Sequence, residues 1–205
     1  MPASARRKPR ALRRAFYDRP TLEVAHDLIG MVLVHETADG LASGMIVETE
    51  AYIGEDDPAC HAACGPTRRN APLYGPPGLA YVYFNYGVHW LVNAVTGAEG
   101  APAAVLIRAL APLDGLPLMR QRRMTRRRPG AAPLPDLALC RGPGNLTLAL
   151  GITGAQNLQP LDGALRIENR RLAPPRVAWG PRIGIRVGTD RPWRAYAAGH
   201  PAVSK

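Results

Sequence analysis

The pattern of apolar and polar positions is most regular between residues 45 and 53. Side chains there alternate with the period of two that a half-buried β-strand shows. The alternation places Glu48, Glu50 and Tyr52 on one face of the predicted strand. Two carboxylates and a phenol are therefore expected to share a surface.

A β-hairpin is predicted farther along the chain, from residues 79–84 and 88–93. Asn85 and Gly87 bracket the turn between these segments, and both residue types tolerate positive φ. Tyr86 is therefore expected at the tip, where water would normally surround its ring. An aromatic ring on a tight turn of a basic chain is typical of a wedge that enters stacked bases while a pocket acts on one of them.

The remaining pattern mixes helices with strands and fits one domain for a chain of 205 residues. Helices are predicted at residues 20–29, 57–65 and 114–124, and a further helix that opens within 140–146 and ends near 151. Further strands are predicted at residues 31–35, 103–110, 165–168 and 182–188. The glycine loop at residues 142–144 matches neither a Walker A motif nor a dinucleotide motif, so no cofactor is expected.

The positive charge of the chain indicates a nucleic-acid partner. The formal net charge of +10 comes almost wholly from arginine, whose guanidinium group binds phosphate oxygens through two parallel hydrogen bonds. An arginine-heavy proteome is the alternative explanation for the charge taken alone. The arginines cluster within residues 120–128, however, and this density favours a surface that grips the phosphate backbone. The loop at residues 65–77 carries Arg68 and Arg69 and could also contact phosphate.

Residues 1–18 are expected to form a basic, flexible arm ahead of a domain at residues 19–205. No apolar run approaches the ~20 residues that a membrane-spanning helix requires, so no membrane partner is expected. No apolar segment follows the basic start, which argues against a secretory signal. Together with an odd number of cysteines, this predicts a cytoplasmic protein that associates with the nucleoid by binding DNA.

Two positions leave alternatives open. Cys60, His61 and Cys64 would share a face of the short predicted helix, but near-contiguous ligands match the usual separated zinc pairs poorly, so no metal is expected. His61 is interpreted instead as a group that projects toward the carboxylate strand, with a surface or capping histidine as the alternative. Arg108 interrupts an apolar strand and is either half of an ion pair with a strand glutamate or part of an active site.

Several of these segments resemble, in order and spacing, the alkyladenine (3-methyladenine) DNA glycosylase family over roughly residues 22–203. The resemblance rests on Val47-Glu48-Thr49-Glu50-Ala51-Tyr52, His61, Pro66-Thr67-Arg68-Arg69-Asn70, Tyr81-Val82-Tyr83-Phe84-Asn85-Tyr86-Gly87, Asn93, Val105-Leu106-Ile107-Arg108-Ala109-Leu110 and Leu139-Cys140-Arg141-Gly142-Pro143. It implies an α+β (mixed α/β) fold, with a single domain around a curved, mainly antiparallel β-sheet and a protruding β-hairpin.

The resemblance also implies an activity. The chain is expected to be a monomeric, monofunctional glycosylase of base excision repair that needs no metal. It would flip a damaged purine out of double-stranded DNA and hydrolyse the N-glycosidic bond. The implied substrates are alkylated purines, namely 3-methyladenine and 7-methylguanine, with deaminated purines as an open extension.

The family's catalytic positions carry over onto three residues. Glu50 would be the general base that activates the attacking water. Arg108 and the main-chain carbonyl of Ile183 would hold that water. The mechanism requires that the Glu50 carboxylate point into a ring-lined cavity beside Tyr86, so that extrusion and hydrolysis occur in one place.

The binding positions carry over in the same way. Tyr52, His61 and Tyr83 would wall the base pocket, Asn93 would disfavour the 2-amino group of guanine, and Tyr86 would intercalate. The expected contacts with the DNA backbone are Arg69, Asn70, Arg120, Arg123 and Arg141. Asn145 stands where the family often has lysine, and Arg141 is the candidate to replace that phosphate contact.

Two other functions remain open from the residues. One is a non-catalytic nucleic-acid-binding module, in which Glu50 and Arg108 are structural. The other is a hydrolase of small nucleosides or an acyl-transfer enzyme, in which the tyrosines belong to the core. Release of free base from alkylated DNA separates the first from a glycosylase, and salt-sensitive DNA binding separates the second.

Overall fold

Antiparallel strands dominate the computed structural model, which describes residues 10–173 and 175–204. The strands are β1 (Arg10–Ala11), β2 (Val32–Thr37), β3 (Gly40–Ile53), β4 (Ala80–Asn85), β5 (His89–Val95), β6 (Ala103–Asp114), β7 (Leu165–Asn169), β8 (Val177–Gly180) and β9 (Arg194–Ala197). Their order is β1-β7-β2-β3-β6-β5-β4, while β9 pairs with the later part of β3 and β8 pairs with β9. The sheet curls into a half-barrel, which confirms the α+β prediction.

Helices cover this sheet and close its core. They are α1 (Arg14–Tyr17), α2 (Thr21–Asp27), α3 (Leu116–Met124) and α4 (Pro143–Leu150). Short 3-10 helices lie at His61–Cys64, Ala71–Tyr74, Asp136–Ala138 and Gly154–Gln156. Helix α2 packs on β3 and β6, and α4 packs on β5 and β6 with α3 against it. Strand β6 is therefore apolar along most of its length, because its side chains are buried almost throughout.

The two longest strands, β3 and β6, pair irregularly around Glu48, and their register also shifts between Ser43 and Gly44. Ile46 lies opposite Leu110 and Thr49 opposite Ile107, but between these pairs Glu48 lies opposite Ala109. Val47 and Arg108 are thus both left out of the ladder, while the register is the same on either side. Such irregularities bend strands and redirect side chains, often beside active sites.

Most predicted elements are present, with three differences. A 3-10 turn at His61–Cys64 replaces the helix expected over residues 57–65. Residues 182–188 do not form the expected strand, because Gly184 and Gly188 adopt positive φ. Ordered structure also begins before residue 19, since β1 pairs with β7 and Tyr17 is buried. The expected arm therefore reaches at most to residue 9, and residues 1–9 lie outside the described ranges.

Within the described ranges, no helix combines the length and the apolar composition that crossing a membrane would require.

Candidate active site

A cavity of about 520 Å³ opens where β3, β4, β5 and β6 meet the loop at residues 183–187. Its wall includes Tyr52, His61, Tyr83, Asn93 and Arg108. These predicted site residues come from four strands and one 3-10 turn, so folding brings together positions that are far apart in sequence. Tyr86 also borders the cavity from the hairpin tip, as the mechanism requires.

Glu50 lies directly behind this wall and is fully buried. Its Oε1 accepts a hydrogen bond from the backbone N–H of Ile183 at 2.7 Å. Its Oε2 accepts from the hydroxyl of Tyr52 at 2.8 Å and from Nη1 of Arg108 at 3.3 Å. Burial raises the pKa of the Glu50 carboxyl above its usual range, although these donors and the Arg108 charge oppose the shift.

The geometry expected for Glu50 is therefore only partly found. Its three hydrogen-bonding neighbours Tyr52, Arg108 and Ile183 line the cavity, but the carboxylate itself is enclosed by them. The expectation that an oxygen of Glu50 points openly into the cavity is wrong for this structure, because the side chain is fully buried and does not line the cavity. The resemblance assigned the main-chain carbonyl of Ile183 to hold the attacking water. The group of Ile183 that contacts Glu50 is instead its N–H.

Arg108 fits both interpretations that the sequence left open, an ion pair with a strand glutamate and a place in the candidate site. Its Nη1 lies 3.3 Å from Oε2 of Glu50, and its Nε lies 3.4 Å from Oε1 of Glu48. The second contact is an ion pair without hydrogen-bond alignment. The guanidinium is nearly buried yet borders the cavity. Arg108 is thus an ion-pair partner of two strand glutamates and also part of the candidate site.

Aromatic rings form one side of the cavity. The rings of His61 and Tyr83 meet edge-on with centroids 4.6 Å apart, and Tyr81 and Tyr83 lie 5.2 Å apart. Nδ1 of His61 and the hydroxyl of Tyr81 are hydrogen-bonded at 2.9 Å. Burial and the nearby Arg69 charge lower the pKa of His61, so the imidazole is neutral near pH 7.

Tyr81 is a cavity residue that the sequence analysis did not assign, and burial raises its pKa to about 12. The signal was present, because Tyr81 and Tyr83 are two positions apart on β4 and so face the same side. The amide of Asn93 donates to the carbonyl of Tyr81 at 3.0 Å, which fixes the predicted discriminating residue against the cavity wall.

Tyr52 is supported from behind by a buried ion pair. Arg182 contacts both oxygens of Asp57 at 2.6 and 2.8 Å, and its guanidinium lies 4.7 Å from the centre of the Tyr52 ring. Burial opposes ionisation of Asp57, but the hydrogen bonds and charge of Arg182 hold its pKa below the usual range. Sequence reasoning missed this pair, because the partners are 125 residues apart.

Tyr86 occupies the hairpin tip, and its side chain is 89% exposed. The carbonyl of Asn85 accepts from the N–H of Val88 at 3.0 Å, which closes a tight turn around Tyr86 and Gly87. Both central residues have positive φ, at 48° and 67°. A two-residue turn of the I′ type requires this conformation, which is strained for tyrosine and free for glycine.

The predicted DNA-backbone residues divide into two groups. Arg69 is exposed and reaches the carbonyl of Phe84 at 3.3 Å. Asn70 is only 2% exposed, and its amide binds the carbonyls of His61 and Gly65. Asn70 would have to give up these hydrogen bonds to contact phosphate, so its contact with the DNA backbone stays a prediction.

The three other predicted backbone contacts are held by partners within the protein. Arg120 pairs with Asp136, Arg123 donates to the side chain of Asn145, and Arg141 donates to the carbonyl of Pro201. Each would have to exchange a partner to bind phosphate. Other arginines are exposed like Arg69 but were not assigned to the DNA backbone, namely Arg68, Arg126, Arg128 and Arg186.

The residues considered for zinc do not converge. Cys60 is buried and accepts from the N–H of Ala62, whereas Cys64 is exposed. Among residues 10–173 and 175–204, no three His, Cys, Asp or Glu side chains are grouped so that they could hold a metal ion.

Comparison with known proteins assigns the family. Residues 15–201 match the model of the methylpurine-DNA glycosylase family. A protein of Burkholderia cenocepacia (strain HI2424) is 51% identical over 195 residues, which cover 93% of this chain and 89% of that protein. A protein of Rhodopseudomonas palustris (strain BisB18) is 46% identical over 205 residues, covering 100% and 96%. Both have 3-methyladenine DNA glycosylase in their names. The chain belongs to the methylpurine-DNA glycosylase family and is a DNA glycosylase.

Proposed function

We propose that this DNA glycosylase excises alkylated purines, 3-methyladenine and 7-methylguanine among them, from duplex DNA by flipping the damaged nucleotide into the cavity and hydrolysing its N-glycosidic bond. The observation that carries the proposal is the position of Glu50. A buried glutamate with a raised pKa lies immediately behind a ring-lined cavity, and an exposed tyrosine borders the same cavity.

The cavity chemistry suits a cationic base. Alkylation at N3 or N7 gives a purine a positive charge and primes its glycosidic bond for departure. Electron-rich faces of Tyr52 and Tyr83 attract such a ring, and the neutral His61 does not repel it. Aromatic stacking contributes about 1–3 kcal/mol per base and a desolvated cation–π contact about 2 kcal/mol. Together these offset the few kcal/mol that unstacking a base costs.

In this proposal, Glu50 acts as a general base once water reaches it. A base works best when its pKa lies near the working pH, and burial moves the Glu50 pKa in that direction. The enclosing hydrogen bonds must then open. The hydroxyl of Tyr52 is the donor best suited to leave, because its ring belongs to the cavity wall that a bound base would contact. Water would replace this hydroxyl at Oε2, while Arg108 and Ile183 keep the carboxylate oriented.

The DNA would be held by the hairpin and the surrounding arginines. Tyr86 would fill the gap that the extruded base leaves. Arg126 donates to the carbonyl of Val88, so the arginine-rich segment that follows α3 lies against the turn that carries this wedge. We propose that a single copy of the chain acts on the duplex and that DNA binding keeps the protein with the nucleoid.

The test is release of free base from duplexes that contain 3-methyladenine or 7-methylguanine. Glu50→Gln should lower the single-turnover excision rate at least about a hundredfold, because general-base catalysis contributes 10²–10⁴-fold. Duplex affinity should stay nearly unchanged. The matched control is Glu168→Gln, which alters another buried glutamate with arginine partners, on β7. Excision that persists in Glu50→Gln would refute the assignment of the base.

The same assay decides about deaminated purines. Hypoxanthine is neutral, so its departure would need protonation of the leaving base, and no acid is apparent in the cavity wall. We expect excision of hypoxanthine to be slower than that of 3-methyladenine in matched duplexes.

A further inference from the structure

A second fully buried carboxylate lies next to the proposed base. Glu48 is two positions before Glu50 on β3, and it does not line the cavity. Its Oε1 lies 3.4 Å from Nε of Arg108 and accepts from Nη1 of Arg194 at 2.9 Å. Its Oε2 accepts from both the N–H and the hydroxyl of Ser204, with the N–H contact at 3.0 Å. Three hydrogen-bond donors and one further ion-pair contact, from three segments of the chain, thus converge on a side chain that does not line the cavity.

Two of the three donors to Glu50 depend on this carboxylate. Arg108 is held between Glu48 and Glu50, and its Nη2 also contacts the Ser204 hydroxyl at 3.5 Å. Arg194 carries the second link, because its Nε donates to the carbonyl of Pro181 at 2.8 Å. Pro181 lies two residues before Ile183, whose N–H binds Glu50. Glu48 therefore anchors both the guanidinium and the loop that orient the proposed base.

An anchoring role for Glu48 explains why two carboxylates are buried side by side despite the cost in free energy. A buried carboxylate is unfavourable unless paired, and a second one beside Glu50 adds like-charge repulsion. Glu48 raises the pKa of Glu50, and Arg108 lowers it. A core of apolar residues at position 48 would avoid these costs but would leave Arg108 and Arg194 without their shared partner.

We propose that Glu48 is a positioning residue for the excision reaction, and that Ser204 in turn positions Glu48. The inference rests on the proposed role of Glu50. Glu48 orients the two groups that hold the Glu50 carboxylate, and the segment after β9 secures Glu48 through the Ser204 hydroxyl. Small misplacements of a catalytic group can cost up to about a hundredfold in rate, so the effect belongs to the chemical step.

The pH dependence of the excision rate distinguishes this role from a merely structural one. The charged and donor groups that face Glu50 are Arg108, Glu48, Tyr52, the N–H of Ile183 and, farther off, Arg182 and Tyr83. Glu48→Gln removes the negative charge that raises the Glu50 pKa. Loss of this charge lowers that pKa, so the rising acid limb should move to lower pH by about one unit. The rate on the plateau should fall about tenfold or more, while duplex affinity is retained.

Glu168→Gln is the matched control for this variant. Glu168 is buried on β7 and paired with Arg166 and Arg170 at 2.7 Å each, two strands away from β3. Glu168→Gln should lower the thermal unfolding midpoint about as much as Glu48→Gln does, without moving the acid limb of the excision rate. An acid limb that stays in place in Glu48→Gln, or that moves equally in Glu168→Gln, would overturn the proposal.

A milder pair of variants decides the question if Glu48→Gln folds poorly. Ser204→Ala removes the hydroxyl that donates to Glu48 and should lower the single-turnover rate severalfold at unchanged duplex affinity. Ser204→Thr keeps a hydroxyl and should restore the rate. The control is Ser43→Ala, which removes a serine–carboxylate hydrogen bond to Asp114 outside the site.

Equal rates in all three serine variants would contradict the proposal. Glu50→Gln, measured alongside, separates the two hypotheses. Persistent excision in Glu50→Gln refutes the proposed base, whereas loss of excision there with unaltered Glu48 and Ser204 variants refutes only the positioning role.

Discussion

At the scale of single residues, the site combines groups that oppose one another. Burial favours the protonated form of Glu50, while Arg108, Tyr52 and the N–H of Ile183 favour the carboxylate. The balance leaves the pKa of Glu50 raised, which suits the proposed general base because such a group works best with a pKa near the working pH. Tyr52 has two roles here, because its ring faces the cavity and its hydroxyl closes the carboxylate off from that cavity.

Tyr52→Phe separates these two roles. The substitution keeps the ring and removes the hydrogen bond that lowers the Glu50 pKa, so that pKa should rise further. Because Glu50 must be ionised to act as a base, the rising acid limb of the excision rate should move to higher pH, by about half to one unit. On the plateau above it, the rate should equal or exceed that of the unsubstituted protein, since water reaches Oε2 without displacing the hydroxyl.

The measurement is the single-turnover rate of base release across pH. Tyr74→Phe is the control, because Tyr74 donates to Glu55 at 2.8 Å in another tyrosine–glutamate pair. An acid limb that moves downward in Tyr52→Phe would contradict the proposed electrostatics.

At the scale of elements, the sequence predicts best what is local. The hairpin of β4 and β5 was predictable because a two-residue turn, its Asn and Gly, and the alternating strands lie within about 15 positions. The conformation of residues 182–188 was not predictable, because the alternation of side chains in this segment is the one expected of a strand. Its actual course is set by two glycines at positive φ and by the buried Arg182. Tertiary contacts determine the conformation of this segment, and such contacts cannot be inferred from a local sequence pattern.

A substitution in the hairpin turn should weaken DNA binding while leaving the stability of the protein nearly unchanged. Tyr86 holds a left-handed conformation that costs an L-residue roughly 1–2 kcal/mol, and its ring contacts little. Tyr86→Gly should leave the free energy of unfolding within about 1 kcal/mol of its value, because relief of strain offsets the entropy of glycine. Affinity for damaged duplex should nevertheless fall about tenfold, the loss of one stacking contact.

Thermal unfolding and a duplex-binding titration check this outcome together. Tyr86→Phe keeps the ring and should bind as the unsubstituted protein does. Unchanged duplex affinity in Tyr86→Gly would exclude intercalation by this residue.

At the scale of the whole molecule, distant segments are tied together by buried charge. The resemblance implied the curved antiparallel sheet, but neither it nor the residue pattern supplied the strand order or the addition of β9 to β3. The same limit applies to the ion pair of Asp57 and Arg182, which joins the loop after β3 to the loop before β9. Pairing at such separations depends on the finished fold, so residues alone could not have predicted it.

Breaking that ion pair should destabilise the protein as a whole. Asp57→Ala leaves Arg182 buried without its partner and should lower the free energy of unfolding by about 3–5 kcal/mol. The double variant Asp57→Ala, Arg182→Met should recover part of this loss, because it removes the stranded charge. Denaturant unfolding of the four proteins in the cycle measures the coupling, and strictly additive losses would contradict it.

The pH dependence of stability follows with a definite sign. The pKa of Asp57 is lower in the folded protein than the value of about 3.9 expected when unfolded. Its contribution is therefore complete above about pH 4 and is lost as the pH falls through the folded-state pKa. Asp57→Ala should remove this part of the acid dependence of the unfolding free energy.

The irregular pairing of β3 and β6 has a consequence for how this chain can gain or lose residues. Val47 and Arg108 are both outside the ladder, and the pairs around them resume the same register. Deleting either residue alone would slip the pairing by one position and turn Glu50 to the opposite face of the sheet. Deleting both would leave Ile46, Glu48 and Thr49 opposite Leu110, Ala109 and Ile107 in an unbroken ladder. The sheet could thus lose the two residues only as a pair, and the shortened protein would keep its architecture without the guanidinium that is proposed to orient Glu50.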